Sequence, residues 1–303
     1  MSIGYGAFYG CNSLTSVEIP NSVTIIDDYA FYECSSLTSV TIPENVTKIE
    51  KYTFAGCSSL PSITIPESVT SIGTEAFSDC SSLTSIIIPD SVTSIGHGAF
   101  LGCTSLMSIV VEESNTIFDS RENCNAIIET ATNSLIQGCI NTTIPDSVTT
   151  IKSKAFYRLV DLTHIMIPQN VTNVEPKAFL GCSNVISIIV DNSNTALDSR
   201  NNCNAIIISD TGELVVGCKN TIIDDTITKI SSEAFSGSLI ESVDIPDTVT
   251  EIGTFAFSDC SFLKTVNTGN GITKLNYGVF MNCTGLESVT IGNSVTFFDM
   301  SVF

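Results

Sequence analysis

The chain has 303 residues and a formal charge of −20, from 12 Lys plus Arg against 32 Asp plus Glu. That sign argues against nucleic acid and against anionic membrane as charge-driven partners, since phosphates and acidic headgroups are met by Lys and Arg. Apolar residues at 43% with charged residues at 15% place the chain among folding sequences, not disordered ones. No apolar run approaches the roughly 18 residues of a membrane helix. The opening MSIGYGAFYGCNSL has neither the basic region nor the apolar core of a signal peptide.

In chain order, the first feature is a repeat. After Pro20 the chain reads NSVTIIDDYAFYECSSLTSVTIP, after Pro43 ENVTKIEKYTFAGCSSLPSITIP, and after Pro66 ESVTSIGTEAFSDCSSLTSIIIP. One Phe marks each copy: Phe8, Phe31, Phe54, Phe77 and Phe100, then Phe156 and Phe179, then Phe235, Phe257, Phe280 and Phe303. The spacing is 23, except 22 before Phe257 and 56 before Phe156 and Phe235.

Within the second copy the apolar columns are Val23, Ile26, Ala30, Phe31, Cys34, Leu37, Val40 and Ile42. Alternation in LTSVTI predicts a short strand with one buried face. The stretch Asp28 to Cys34 has room for one helical turn, and Pro43 ends the ladder and turns the chain. Stacked copies bring like strands together about 4.8 Å apart, as a parallel solenoid in which each repeat is stabilised by its neighbours.

The two long gaps hold copies of each other. NCNAIIETATNSLIQGC starts at Asn123 and NCNAIIISDTGELVVGC at Asn202. In the second, Ile206 to Ile208 and Leu214 to Val216 flank Asp210-Thr211-Gly212, a turn sequence, so each insert predicts a hairpin. Cys124 and Cys139 bracket the first, Cys203 and Cys218 the second, each pair 15 apart. Two readings stay open: a cross-strand disulfide in an oxidising compartment, or two buried thiols continuing the core.

The motif LTSVTIPxSVTxIGxxAFxxCSS resembles the leucine-rich repeats of the BspA-like (Treponema pallidum-type) class over essentially the whole chain. The resemblance implies an α/β leucine-rich-repeat solenoid. It would be right-handed and strand-rich, with a parallel β-sheet on a concave face and second short strands and single helical turns on the other side. About eleven 23-residue repeats would form one domain over 1–303, with hairpin-containing inserts at about 112–139 and 191–218. It further implies a surface or secreted protein of bacteria or some protists, used in adhesion and recognition. The chain starts and stops within a repeat, at Ile3 and Phe303, so the expectation is an excerpt with flanking domains, or raw ends that pack on something.

Equivalent positions become ladders in a solenoid, and function is sought there. The Cys column (Cys11, Cys34, Cys57, Cys80, Cys103, Cys182, Cys260, Cys283) is broken at Leu159 and Ser238, and replacement by Leu159 points to a buried apolar slot. The Thr column, from Thr24 to Thr296, predicts a β ladder or side-chain capping of turn groups. The acidic column after Pro, including Glu44, Glu67 and Asp90, reads as a solvated turn edge, because no calcium loop accompanies it. Zinc spacings, phosphate loops and a nucleophile beside His97 or His164 are missing, so no enzyme activity, metal or cofactor is expected.

The partner surface is expected on the concave face, at the strand positions Thr41, Thr64, Ile87, Val110, His164, Met166, Ile189 and Asp244. The run Ile87, Val110, Met166 and Ile189 marks either an exposed contact site or a stripe covered by the inserts that follow Val111 and Val190. The expected function is a non-catalytic adhesion module binding a protein or glycan on a host or neighbouring cell, without membrane insertion by this segment. A structural spacer and an intracellular interaction repeat are the alternatives.

Overall fold

A computed structural model describes residues 1–303. The chain divides into two compact units. One comprises Met1–Pro145 with Lys154–Leu159, the other Asp146–Ser153 with Val160–Phe303. Each is a strand-rich parallel solenoid with two ladders of short strands.

In the first unit, one ladder pairs Ser16–Val17 with Ser39–Val40, and Ser85–Ile88 with Ser108–Val111, all parallel. The other pairs Ser2–Ile3 with Ile25–Ile26, and runs from Lys48–Ile49 through Ser71–Ile72 to Ser94–Ile95. The first ladder is interrupted at the third copy, where Pro61 stands in the column of Thr38 and Thr84. Thr38 donates its N–H to the Thr15 carbonyl at 2.9 Å, and Thr84 donates to the Pro61 carbonyl at 3.2 Å. Pro61 has no N–H to pass on to Thr38, and Ser62 and Thr64 lie outside any strand.

In the second unit the longer strands are His164–Ile167 with Ser187–Val190, and Ser242–Asp244, Thr265–Asn267 and Ser288–Thr290 in one three-stranded sheet. The shorter ladder includes Thr150–Ile151 with Asn173–Val174, and Lys229–Ile230 with Glu251–Ile252.

The predicted helical turns are not helices. In the second copy, alternate residues send their N–H to the next coil: Tyr29 to the Lys51 carbonyl, Phe31 to Thr53 and Glu33 to Ala55, at 2.7–3.0 Å. A helix would consume those donors internally. Two left-handed residues per turn, Tyr29 (φ 60°) and Glu33 (φ 56°), also stop helical propagation. The only helical segments are single 3₁₀ turns in the inserts, Arg121–Asn123 and Arg200–Asn202. The α/β expectation is therefore corrected to a β-solenoid. The eleven-repeat count is corrected too, because each insert supplies a further coil, giving about 13 turns.

The core of each unit is a stack of Phe rings. Phe8, Phe31, Phe54, Phe77 and Phe100 follow one another at 5.0–5.6 Å with planes within 6°. Phe235, Phe257, Phe280 and Phe303 repeat the stack at 4.7–5.6 Å. Cysteines fill the slot beside them and donate to a backbone carbonyl of the preceding coil, as Cys57 Sγ does to Phe31 O at 3.3 Å and Cys260 Sγ to Phe235 O at 3.1 Å. The Thr column is structural. Thr70 Oγ1 donates to Thr47 O at 3.2 Å and Thr93 Oγ1 to Thr70 O at 3.3 Å, doubling the main-chain ladder.

The inserts are built alike. In the second, Leu197–Asp198, Ala205–Ile208 and Glu213–Gly217 form three antiparallel strands with a bulge between Ile206 and Ile207. The last strand then pairs in parallel with Lys229–Ile230, so the predicted hairpin joins the shorter ladder. In the first, Phe118–Asp119, Ala126–Glu129 and Ser134–Gly138 repeat the antiparallel pattern. All twelve cysteines are free thiols. Cys124, Cys139, Cys203 and Cys218 are buried. Cys139 Sγ donates to the Asn125 carbonyl at 3.2 Å and Cys218 Sγ to Asn204 at 3.4 Å.

Candidate functional site

The longer strands bury alternate residues, so the intervening side chains form an outward column. In Ser85–Ile88 the buried residues are Ile86 and Ile88, and Ile87 faces out. Val110 lies opposite Ile87 in the next strand, and the two are 44% and 57% exposed respectively. The second unit repeats this with Met166 opposite Ile189, at 57% and 48%.

All eight residues predicted for the partner surface are solvent-exposed. Strand register brings some of them together. Ile87 and Val110 form one pair and Met166 and Ile189 another, with His164 on the Met166 face two residues earlier. The His164 ring nitrogen Nδ1 shares a hydrogen bond with Thr163 Oγ1 at 2.8 Å. Asp244 stands opposite Asn267, whose Nδ2 donates to its carboxylate at 2.7 Å, and Thr290 follows in the next strand. Thr41 and Thr64 are exposed without a strand pairing between them, because Pro61 breaks the ladder.

The inserts do not cover the apolar positions. Their own apolar residues, Phe118, Ile127 and Leu135 in one and Leu197, Ile206 and Leu214 in the other, are buried. They extend the core and leave Ile87, Val110, Met166 and Ile189 open.

Two further features stand out. The first is a buried Asn at the start of each insert. Asn115 Nδ2 donates to the carbonyls of Pro89 and Val92 at 2.9 Å, and its Oδ1 accepts from the N–H groups of Ile117 and Phe118 at 2.9 Å. Asn194 repeats all four bonds with Pro168, Val171, Ala196 and Leu197 at 2.8–2.9 Å. Three residues past each Phe or Leu, an Arg is clamped to its Asp, with Arg121 Nε to Asp119 Oδ1 and Arg200 Nε to Asp198 Oδ1 both at 2.8 Å. The signal was present: SNTIFDSR and SNTALDSR stand at matching places in the two inserts.

The second is an acidic cluster. Carboxylate oxygens of Glu67, Asp90 and Glu112 come within 4.8 Å of one another. Asp90 donates its N–H to Glu112 at 3.1 Å. Partial desolvation, together with the charges of Glu112, Asp90 and Glu44, pushes the Glu67 carboxyl up. The cluster is the predicted solvated turn edge with one insert residue added.

The chain matches the model of the BspA type leucine-rich repeat region over residues 1–129, 121–209 and 215–303. Among solved structures it is similar to a leucine-rich cell surface protein from Faecalibacterium prausnitzii A2-165. Identity is 31%, the alignment covers 100% of this chain and 73% of that one, and the TM-score is 0.61. It also shares the fold of the pneumococcal vaccine antigen PcpA at 19% identity, covering 98% of this chain and 72% of that one, with a TM-score of 0.57. None of the curated proteins matches the chain.

Proposed function

Because the chain belongs to the BspA-type leucine-rich repeat family, we propose that it is a non-catalytic recognition module at the cell surface, engaging a protein or glycan through the outward column of its longer strands. The surface assignment is supported by its likeness to a leucine-rich protein described as a cell surface protein. One observation carries the binding assignment. Two register-paired apolar couples, Ile87 with Val110 and Met166 with Ile189, stand open on strands whose other outward residues are Ser85, Ser108, His164 and Ser187. Grouped apolar side chains in water favour a contact that removes them from it.

Burying the exposed part of one such side chain contributes roughly 1 kcal/mol, so loss of a couple weakens binding by about ten-fold or more. The experiment is binding of the purified chain to an array of matrix proteins and glycans at physiological salt. Ile87→Ser/Val110→Ser and Met166→Ser/Ile189→Ser are compared separately with the parent chain. Saturable binding weakened by either pair supports the reading. No binding, or binding indifferent to both pairs, transfers the assignment to a spacer that displays recognition elsewhere in a longer protein.

A further inference from the structure

Five of the chain's seven tyrosines, Tyr5, Tyr9, Tyr29, Tyr32 and Tyr52, sit on the turn segments of the first three coils. Their rings make one connected face. Tyr29 stacks on Tyr52 at 4.8 Å and Tyr9 on Tyr32 at 4.9 Å. Tyr5 meets Tyr29 at 5.4 Å, and Tyr29 meets Tyr32 at 5.4 Å, which joins the two rows. Tyr5 and Tyr9 are 69% and 56% exposed.

Neither packing nor backbone preference accounts for these rings. The core beneath them is complete, with Phe31 and Phe54 fully buried. Tyr29 and Tyr52 hold left-handed φ angles of 60° and 57° at a turn position taken by Gly6 and Gly98 in some coils and by Glu75, Lys154, Lys177, Glu233 and Phe255 in others, so the turn itself does not call for an aromatic ring. That conformation disfavours a bulky side chain.

Carboxylates edge the rings. Glu75 lies beside the Tyr52 phenol, and its charge is the main reason that phenol is pushed up. Glu33 acts likewise, after desolvation, on Tyr32, and Asp28 adds a smaller push to Tyr29 after desolvation and the neighbouring Tyr52 and Tyr5. Acidic groups alone would carry nothing on a chain of net charge −20. Their coincidence with an aromatic stack is selective. A guanidinium lies flat on a ring and hydrogen-bonds a carboxylate in the same pose, whereas an ammonium does this less well and a neutral sugar, though its hydroxyls can donate to a carboxylate, brings no opposite charge.

We propose that this tyrosine-carboxylate face docks an arginine-rich segment of a protein partner. It uses turn residues, not the strand column, so it stands or falls independently of the surface proposed above. The chain has no Trp, so tyrosine emission reports largely on this face. The probes are a nine-residue oligo-arginine, a nine-residue oligo-lysine and maltohexaose, titrated at physiological salt.

The expected result is that oligo-arginine changes tyrosine emission and binds at least five-fold tighter than oligo-lysine, each engaged ring contributing about two- to five-fold. Tyr9→Ser/Tyr29→Ser/Tyr52→Ser leaves the net charge unchanged and abolishes the preference. If that variant loses its cooperative melt, Tyr9→Ser alone, at an exposed ring, is expected to lower the preference by about two-fold or more. Equal affinity for the two peptides on the parent chain overturns the proposal, as does a preference indifferent to the folded variants. An emission change with maltohexaose and none with oligo-arginine also overturns it, in favour of a glycan face.

Discussion

Asn115 hydrogen-bonds the carbonyl of Val92, 23 residues earlier, at 2.9 Å, while its own oxygen holds the N–H groups of Ile117 and Phe118. A side-chain amide offers two donors and one oxygen with two lone pairs. All four capacities are used in a buried setting, so this residue fastens the start of the insert to the coil before it.

Asn115→Ala therefore takes this partner from the Val92 carbonyl and from the N–H groups of Ile117 and Phe118, while the Pro89 carbonyl keeps the Val92 N–H at 3.2 Å. Each orphaned buried group costs about 1–3 kcal/mol, reduced where water reaches it on relaxation. We expect a loss of about 2–4 kcal/mol in chemical denaturation for Asn115→Ala, and the same for Asn194→Ala. Asn115→Asp is expected to be nearly as damaging, because it keeps the acceptor and loses both donors. A loss below about 0.5 kcal/mol would contradict the fastening role.

The far end of each insert makes a steric prediction. A Cβ on Gly138 would lie 2.3 Å from Phe156 Cε1, and one on Gly217 would lie 2.1 Å from Phe235 Cε1. Both Phe residues belong to the core. Neither contact yields by rotating a flexible tip, so Gly138→Ala and Gly217→Ala force a shift of ring or strand. Overpacking of this kind costs about 1–3 kcal/mol. Thermal melts should fall by several degrees for each, whereas Gly10→Ala, which meets nothing within 4 Å, is limited to its backbone cost at φ 67°.

Much of this was legible in the sequence because a repeat averages over its copies. Val40 and Ile42 recur at one spacing and Ile26 at another, and both ladders follow from that. The hairpins were legible from Asp210-Thr211-Gly212 and its flanking apolar triplets. The turn segment was misread because apolar spacing says where a residue faces, not where its N–H goes. Tyr29, Phe31 and Glu33 give theirs to the next coil. A hint lay in the Gly residues at positions 6, 10, 56 and 102, but Tyr29 and Glu33 at equivalent sites concealed the left-handed geometry. The exposed apolar couples were legible as positions, while their freedom from the inserts was not. It depends on Phe118 and Leu135 turning into the core, which no column shows.

Pro61 offers a repair. Pro61→Thr restores an N–H facing the Thr38 carbonyl, in the pattern of Thr38 to Thr15. One such bond contributes about 0.5–1.5 kcal/mol, and losing Pro returns about 0.4–1 kcal/mol of unfolded-state entropy. The two nearly cancel, so we expect stability to change by less than about 1 kcal/mol. The informative readout is hydrogen exchange, in which a protected amide at position 61 is expected. An unprotected amide there would mean that the break has a cause other than the missing donor.

The cysteines tie the fold to pH and to redox state. Burial pushes the Cys103 thiol up to about 12, and Cys124 and Cys203 up to about 11, from an ordinary value of 9.0. Below pH 9 these thiols are protonated in both the folded and the unfolded chain, and their contribution to stability is fully present. Above pH 9 the unfolded chain ionises while the folded one holds its protons, so stability is lost as pH rises toward 11–12. Urea midpoints should accordingly fall between pH 8.5 and pH 10.5, and more steeply than in Cys103→Val. Alkylation at pH 8 tests the same burial directly. Exposed Cys11 and half-buried Cys182 should react first, and the ten buried thiols only on denaturation. Denaturation without reductant should then yield twelve alkylated cysteines by mass. A yield of eight, with Cys124, Cys139, Cys203 and Cys218 protected, would show that the insert pairs oxidise, and would place the protein in an oxidising compartment.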